Sequence, residues 1–232
     1  MSVQDAIVTF GLLTVAGSAG LYWFVRSCNA ASRTDWGSPF LNWMDGLNRR
    51  FCRGYHRLKP VDLPLPVQGP AIVVANHISG LDPLLMIACS RRPLRFIIAR
   101  EQYERFGLQW IFRAAGCIPV DRERSPEKAM RQAIKALREG EVVAFFPHGK
   151  IHLDSDPPRR TKAGAARLAQ ISGAPVIPLR ISGAACQGHV ITSVFVRANA
   201  EVELLPVIAV ADKSADALYR EIDRAMNHGA LQ

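Results

Sequence analysis

The chain has 232 residues, of which 49% are hydrophobic and 21% are charged, and its formal net charge at pH 7 is +9. This composition excludes an intrinsically disordered chain, and the length suffices for one domain with a real hydrophobic core plus an appendage. The positive charge favours anionic partners such as phospholipid surfaces or phosphorylated substrates. Because the basic residues are scattered and lack an aromatic stacking pattern, we expect no nucleic-acid partner.

The N-terminal residues predict a membrane anchor over residues 1–34. Residues 6–25 contain no charged side chain, and twenty helical residues span about 30 Å, the thickness of a bilayer core. No basic residue precedes this run, which disfavours a cleaved signal peptide. Arg26 and Arg33 follow it, so the positive-inside rule places the bulk of the chain on the cytoplasmic side of the inner membrane. The segment can either span the bilayer or turn back within it.

Residues 35–60 predict an amphipathic basic helix followed by a connector. The helix starts at Ser38-Pro39, and its apolar side chains recur at intervals of three and four residues. The apolar positions are Phe40, Met44, Leu47 and Phe51, and the basic ones are Arg49, Arg50 and Arg53. This pattern fits either a helix at an anionic membrane surface or a helix that packs on the core domain.

Residues 61–232 predict a single domain with an α/β fold, a mostly parallel central sheet flanked by helices, because strand patterns alternate with helix patterns. The predicted strands cover residues 71–75, 94–99, 117–120, 141–146 and 176–181, with further strand-like runs at 190–196 and 202–205. The predicted helices cover residues 83–90, 101–115, 125–140, 161–172 and 214–228. The five cysteines include no C-x-x-C pair, so we expect reduced thiols in a domain facing the cytosol.

The first predicted strand leads into a polar turn that carries His77 and Asp82. Gly80 allows a sharp turn, and Asp82 before Pro83 is typical of an N-cap followed by proline at the first helical position. The turn can bring the imidazole and the carboxylate together. A neutral His77 could then take a proton from a hydroxyl while Asp82 orients the ring. The alternative is a loop histidine beside an aspartate that only caps its helix.

The segment Asn76-His77-Ile-Ser-Gly-Leu-Asp82 resembles the His-x4-Asp signature of the glycerolipid acyltransferase family, which includes the 1-acyl-glycerol-3-phosphate acyltransferases. Three further blocks resemble the family in the expected order, and the resemblance covers about residues 58–210. These blocks are residues 116–122 (GCIPVDR), 146–149 (FPHG) and 174–178 (APVIP). The resemblance implies a membrane-bound enzyme that moves a fatty acyl group from acyl-CoA or acyl-carrier protein to the hydroxyl of a lysophospholipid. It implies no other cofactor and no metal.

The resemblance also implies roles for three residues of the first two blocks. His77 would be the general base and Asp82 its orienting partner, with no covalent acyl-enzyme. Arg122 would hold the acceptor phosphate through paired, charge-assisted hydrogen bonds. From the residues alone, Arg122 is a surface side chain paired with Asp121 or Glu123.

Four other residues complete the predicted site. Backbone amides near Gly149 are candidates to stabilise the oxyanion, and Lys150 is a candidate to bind the substrate. Asn76 would brace the turn through hydrogen bonds to the backbone. Pro178, in the fourth block, would support the site or the lining of an acyl channel.

The third block departs from the family pattern, Phe-Pro-Glu-Gly-Thr-Arg. His148 replaces the glutamate and Ile151 replaces the arginine, so neither family role carries over at these positions. Nearby basic side chains could supply the positive charge instead: Lys150, His152, Arg159, Arg160 and Lys162. The acceptor is then 1-acyl-glycerol-3-phosphate or a related lysolipid, with a lyso-amino-lipid as an alternative.

Two interpretations from other functional classes remain open. His148, His152, Asp154 and Asp156, together with the His77–Asp82 pair, resemble a set of metal ligands. They would suit a metal-dependent lipid hydrolase. A non-catalytic membrane adaptor that kept the fold is the other possibility.

Overall fold

The computed structural model describes residues 3–122, 124–153, 155–157 and 159–227. Within these residues the strands are β1 (Ala71–Ala75), β2 (Leu94–Ala99), β3 (Ile118–Val120), β4 (Val142–Phe145), β5 (Val176–Ser182) and β6 (Glu201–Leu204). They form one sheet in the order β3-β2-β4-β1-β5-β6. All neighbours are parallel except β5 and β6, which are antiparallel. The predicted mostly parallel sheet is therefore confirmed.

Helices cover both faces of this sheet. They are α1 (Val3–Ala31), α2 (Pro39–Arg50), α3 (Asp82–Cys89), α4 (Arg100–Tyr103), α5 (Gln109–Ala114), α6 (Pro126–Arg138), α7 (Gly164–Ser172), α8 (Thr192–Phe195) and α9 (Ala215–Asn227), and α2 continues as a π-helical turn over Phe51–Tyr55. Alternate residues of β1 belong to two separate apolar cores. One core packs α3 and the π-helical turn against the sheet, and the other packs α6, α7 and α9.

Two predicted elements differ from the observed ones. The helix expected over residues 101–115 is split into α4 and α5, because Gly107 between them has a φ of +80°. The strand-like run at 190–196 contains the short helix α8, and the Ser193 hydroxyl of this helix donates to the carbonyl of the preceding His189. Apolar content there predicted a strand, but β6 takes the place beside β5. The terminal helix is confirmed to Asn227, and His228 lies outside the described residues.

Helix α1 is the apolar N-terminal element. Its segment Ile7–Ala31 is long and apolar enough to cross a membrane, and its side chains over residues 7–25 are exposed. Helix α2 packs closely against α1, where a Cβ at Gly46 would lie 1.7 Å from the Cys28 carbonyl oxygen. Only glycine permits this approach of the two backbones. The predicted boundaries at residues 34 and 60 stay predictions.

Helix α2 contains a buried ion pair whose arginine also binds the domain. The Arg49 side chain is 1% exposed, and its Nε donates to Asp45 Oδ2 at 2.7 Å. The same guanidinium donates to the Ala88 carbonyl at 2.8 Å and to the Ser90 carbonyl, at the end of α3. Arg49 is therefore not part of a basic membrane surface, and this face of α2 packs on the domain. Phe40, by contrast, is exposed.

All five cysteines are free thiols. Burial raises the pKa of Cys52 to about 12 and the pKa of Cys89 to about 11. Both thiols therefore stay protonated at neutral pH and behave as small apolar core residues.

Candidate active site

The predicted site residues lie at one edge of the sheet because parallel strands end on the same side. β1 leads into Asn76 and His77, β3 into Asp121 and Arg122, and β4 into the 146–150 loop. Side chains that follow these strand ends converge at the carboxyl-terminal edge, where open α/β folds place their ligands. The fold thereby brings three of the four sequence blocks to one place.

His77 and Asp82 meet as predicted. His77 Nδ1 lies 2.8 Å from Asp82 Oδ2, and the exposed fractions of the two side chains are 19% and 0%. Asp82 is the first residue of α3, whereas Leu81 occupies the N-cap position. The expectation that Asp82 is the N-cap, and the alternative that it only caps its helix, are therefore wrong. Its side chain turns back toward the preceding loop.

Four donors surround the Asp82 carboxylate. Oδ2 accepts the backbone N–H of Ile78 at 2.7 Å and of Ser79 at 2.9 Å, in addition to the His77 contact. Oδ1 accepts the Ser79 hydroxyl at 2.7 Å. An ionised carboxylate can only accept hydrogen bonds, so the hydrogen of a neutral His77 resides on Nδ1. The lone pair of Nε2 is then available to take a proton.

Neighbouring loops hold the His77 turn in place. The His152 N–H donates to the His77 carbonyl at 2.8 Å. On the other side a Cβ at Gly80 would lie 1.9 Å from the Val190 carbonyl oxygen. Glycine at position 80 is therefore required by the close approach of the 188–190 loop.

Phe146 is a site residue that sequence reasoning left without a role. Its ring stacks on the His77 imidazole with centroids 4.0 Å apart and an interplanar angle of 12°. Phe96 lies behind it, with a ring-centroid distance of 6.3 Å. Phe146 limits the rotation of the imidazole and covers one of its faces. The usable signal was its position directly after β4, the neighbour of β1 in the sheet.

Asn76 and Pro178 support the strands beneath the site. The Asn76 amide exchanges two hydrogen bonds with the Ile181 backbone, at 2.7 and 2.9 Å. It therefore braces β1 against β5, whereas the sequence predicted that it braces the turn. Pro178 is paired in register with Val74, and its carbonyl accepts the Leu205 N–H at 3.0 Å. Both contacts are structural.

Among the candidate oxyanion amides near Gly149, the amide of Gly149 itself is hydrogen-bonded within the loop. Gly149 has a φ of +77°, and its N–H donates to the Phe146 carbonyl at 2.9 Å. This amide is therefore engaged in a turn and is not free to serve an oxyanion. A Cβ at Gly149 would lie 3.1 Å from Lys162 Nζ, so the lysine side chain lies directly over the glycine.

Lys162 belongs to a group of like charges, which we call the cationic cluster: Arg122, Lys150, Arg159 and Lys162. Burial lowers the pKa of Lys162, and repulsion from the other three members lowers it further. Arg122 is exposed, and it has no hydrogen-bond or ion-pair partner among the residues that the structure describes. Of the two partners predicted from the sequence, Asp121 accepts the Arg124 N–H at 2.9 Å, and Glu123 lies outside the described residues.

His148 is turned into the protein. It is buried, and within the described residues neither ring nitrogen makes a hydrogen bond of full geometry, although the Asn227 side chain and the Arg159 backbone lie close enough to raise its pKa in part. Burial lowers the pKa of His148, and His152, whose ring centroid lies 4.9 Å away, lowers it further. Across the described ranges no three His, Cys, Asp or Glu side chains are grouped as a metal site. Asp154 of the predicted ligand set lies outside them.

Comparisons with known proteins place the chain in a family. A family model described as Acyltransferase matches residues 52–182, more than half of the chain. The chain is 33% identical over 120 residues to the N-acylphosphatidylethanolamine synthase of Arabidopsis thaliana, covering 47% of this chain and 42% of the relative. It is 25% identical over 120 residues to the 1-acyl-sn-glycerol-3-phosphate acyltransferase of Bacillus subtilis, covering 51% and 59%.

Two further similarities extend this result. The chain is 33% identical over 85 residues to the lyso-ornithine lipid O-acyltransferase of Rhodobacter capsulatus, covering 36% of this chain and 30% of the relative. It thus spans between 30% and 59% of the length of these curated relatives. The crystal structure of the 1-acyl-sn-glycerophosphate acyltransferase of Thermotoga maritima shares the fold, with a TM-score of 0.61 at 18% identity, covering 98% of this chain and 95% of that one. With its four ordered sequence blocks and its His77–Asp82 pair, the chain belongs to the acyltransferase family.

Proposed function

We propose that this protein is a membrane-bound O-acyltransferase that moves a fatty acyl group from an acyl thioester to the hydroxyl of a lysophospholipid. The observation that carries the proposal is the His77–Asp82 pair, in which a fully buried carboxylate holds a partly exposed imidazole by Nδ1. That arrangement leaves Nε2 as a base that faces away from its orienting partner. A histidine that only stabilised the fold would not need this exposed face.

The reaction requires one base and no covalent intermediate. The acceptor hydroxyl gives its proton to His77 Nε2 while its oxygen attacks the carbonyl carbon of the thioester. The tetrahedral intermediate collapses with cleavage of the carbon–sulfur bond, which leaves an ester and a thiolate. The imidazolium returns its proton to the thiolate. Asp82 steadies the positive charge of His77 between the two proton transfers.

The cationic cluster supports an acceptor that carries phosphate. Its members Arg122 and Lys162 lie at the same edge of the sheet as His77, and repulsion within the cluster lowers the Lys162 pKa. A phosphate group would relieve this repulsion and could accept paired hydrogen bonds from the Arg122 guanidinium. Lys162, above Gly149, would supply the cation that Ile151 lacks. The acceptor proposed first is therefore 1-acyl-glycerol-3-phosphate.

A lyso-amino-lipid is the second candidate acceptor. The third block favours it, because His148 points into the protein and Ile151 offers no charge. The similarity to a relative named lyso-ornithine lipid O-acyltransferase is consistent with such an acceptor. In this case the cationic cluster would bind the carboxylate of the head group.

The proposal also covers the acyl donor and the membrane location of the protein. We propose acyl-CoA or acyl-carrier protein as the thioester, with no further cofactor. Helix α1 would anchor the chain in the inner membrane, and Arg26 and Arg33 would keep the catalytic domain on the cytoplasmic side. The net charge of +9 suits an anionic lipid surface.

An acceptor screen tests the proposal. Membranes that contain the wild-type protein or the His77→Ala variant receive labelled acyl donor and a panel of lysolipids. Because a positioned general base accelerates proton transfer about 10²–10⁴-fold, His77→Ala should lower transfer by at least about 100-fold while the protein stays folded. His189→Ala, at an exposed histidine, is the matched control and should retain wild-type activity.

Each outcome of the screen separates the candidates. Label in lysophosphatidate that depends on His77 supports the first acceptor, and label in a lyso-amino-lipid supports the second. Substantial transfer by folded His77→Ala contradicts the general-base role. Absence of His77-dependent label with every acceptor and both donors contradicts the transferase function.

A further inference from the structure

The crossover between β2 and β3 has an unusual surface. It comprises α4, α5 and the turn between them, residues 100–115, which we call the α4–α5 hairpin. Neither helix contains a buried residue. Phe106 is fully exposed and Trp110 is 55% exposed, with Leu108 also exposed between them. Large apolar side chains grouped on one exposed surface indicate a binding face.

The α4–α5 hairpin lies at the same edge of the sheet as the candidate active site. Helix α4 begins directly after β2, at the carboxyl-terminal edge of the sheet where His77 lies. The Arg100 guanidinium at its start lies 3.8 Å from the Asp121 carboxylate, next to Arg122. The hairpin therefore borders the proposed acceptor site.

The same hairpin touches the elements that lead to α1. The Trp110 ring lies 5.7 Å from the Phe40 ring, at the start of α2, and Phe40 is itself exposed. Helix α2 packs on α1, whose side chains over residues 7–25 are exposed. The exposed aromatic surface of the hairpin is thus continuous with the apolar N-terminal element.

The hairpin carries three arginines and two glutamates, which leaves one net positive charge, and Arg100 pairs with Glu104 at 2.8 Å. Arg105 and Arg113 are exposed, and no acidic partner contacts either guanidinium in the described part of the chain. Aromatic side chains with arginines beside them are typical of segments that lie at a membrane interface. An acidic acyl-carrier protein would match the charge of the arginines, but it would not explain why the apolar ring of Phe106 is fully exposed.

We propose that the α4–α5 hairpin docks on an anionic phospholipid bilayer and inserts Phe106 and Trp110 among its lipids. The proposal rests on the proposed function, because α1 would hold the hairpin near the membrane. Docking turns the edge of the sheet that bears His77 toward the bilayer. A lysolipid could then reach the site without leaving the membrane surface.

The experiment measures the depth of single positions in the full-length chain. Cys186, the exposed cysteine, is replaced by serine, and a nitrobenzoxadiazole label is attached to Phe106→Cys, Leu13→Cys or Gln170→Cys. Leu13 lies in α1 and reports the anchor, whereas Gln170 is exposed on α7, on the opposite sheet face from α3. The vesicles contain phosphatidylcholine and phosphatidylglycerol with doxyl-labelled phosphatidylcholine.

We expect quenching and a blue shift at positions 106 and 13, and neither at position 170. Quenching at 13 without quenching at 106 overturns the hairpin proposal and leaves the anchor intact. Quenching at 106 without quenching at 13 supports the hairpin and contradicts the anchor, and absence of both overturns both. A response at 106 to acyl-carrier protein but not to vesicles overturns membrane docking in favour of a protein partner.

A kinetic arm asks whether docking serves delivery of the acceptor. Phe106→Ser should raise the KM for a vesicle-embedded lysolipid about tenfold, because the variant loses the favourable free energy of transferring the phenylalanine ring from water into the bilayer. It should leave turnover of a monomeric short-chain acceptor unchanged. Val67→Ser removes an apolar side chain that is 92% exposed elsewhere on the surface and is the matched control. Equal KM values for Phe106→Ser and Val67→Ser would contradict the proposal.

Discussion

At the scale of single residues, the site depends on the difference in solvent exposure between His77 and Asp82. The carboxylate is fully buried and satisfied by four donors, whereas the imidazole keeps one nitrogen toward solvent. Phe146 stacks on the ring and limits its rotation. The proposed base is therefore held in one tautomer and one orientation before any substrate binds, which is the condition for efficient proton transfer.

Arg122 provides a prediction at this scale. Arg122→Ala should raise the KM for a phosphate-bearing acceptor about 10- to 100-fold and change kcat little, because charge-assisted hydrogen bonds to a bound group contribute about 1.5–3 kcal/mol. Steady-state kinetics with a lysolipid series measures this. Arg124→Ala, two residues away and also exposed, is the control and should keep the wild-type KM. An unchanged KM in Arg122→Ala would remove the arginine from the acceptor site.

At the scale of elements, Arg49, which pairs with Asp45 inside α2, joins α2 to the end of α3 through the Ala88 carbonyl. Asp45 also accepts the Arg33 N–H at 3.0 Å, so the pair ties the end of α1 to the catalytic domain. Arg49 additionally satisfies carbonyls at the end of α3, where a cation complements the helix dipole. This contact fixes the direction in which α1 leaves the domain.

The stability of that junction can be measured. Arg49→Met should lower the free energy of unfolding by about 3–5 kcal/mol, because it leaves the Asp45 carboxylate buried without its cation. Arg50→Met, at the exposed neighbour, should change it by less than about 0.5 kcal/mol. Denaturant unfolding in detergent gives both values. In the double variant Arg49→Met with Asp45→Asn the loss should be smaller than the sum of the single losses, and simple additivity would show that the two residues are not coupled.

At the scale of the whole molecule, acid should destabilise the fold through His148. Burial, and then His152, hold the pKa of His148 below its ordinary value in the folded state. The unfolded chain therefore binds the proton at a higher pH, about 6.5, and the contribution of the neutral ring to stability is lost as pH falls from there through the folded pKa. The melting temperature of the wild-type protein should consequently fall between about pH 7 and pH 5.

The variant His148→Leu tests this assignment. Leucine cannot take the proton, so the decline of melting temperature with acid should be shallower, although His56, whose pKa burial also lowers, keeps part of it. His189→Leu, at an exposed histidine, should retain the wild-type profile. A His148→Leu profile that parallels the wild type would assign the acid sensitivity to other groups.

The sequence by itself determined the mostly parallel α/β fold, the apolar N-terminal helix and the positions of the family blocks. These features depend on local patterns: alternation of strands and helices, a charge-free run of twenty residues, and short motifs at strand ends. Most predicted strands and helices agree with the observed bounds within a few residues. The split of the 101–115 helix at Gly107 was missed, because a glycine can also be accommodated within a helix.

Beyond the predicted His77–Asp82 pair, only the tertiary structure decided which side chains meet and which atoms remain free. It assigned Asp82 to the His77 loop instead of an N-cap, stacked Phe146 on the imidazole, and occupied the Gly149 amide in a turn. It also buried Arg49, which the sequence grouped with surface cations. Each of these outcomes depends on contacts between segments far apart in the chain or on the exact path of a loop. Residue patterns report local periodicity, and they carry no information on such distances.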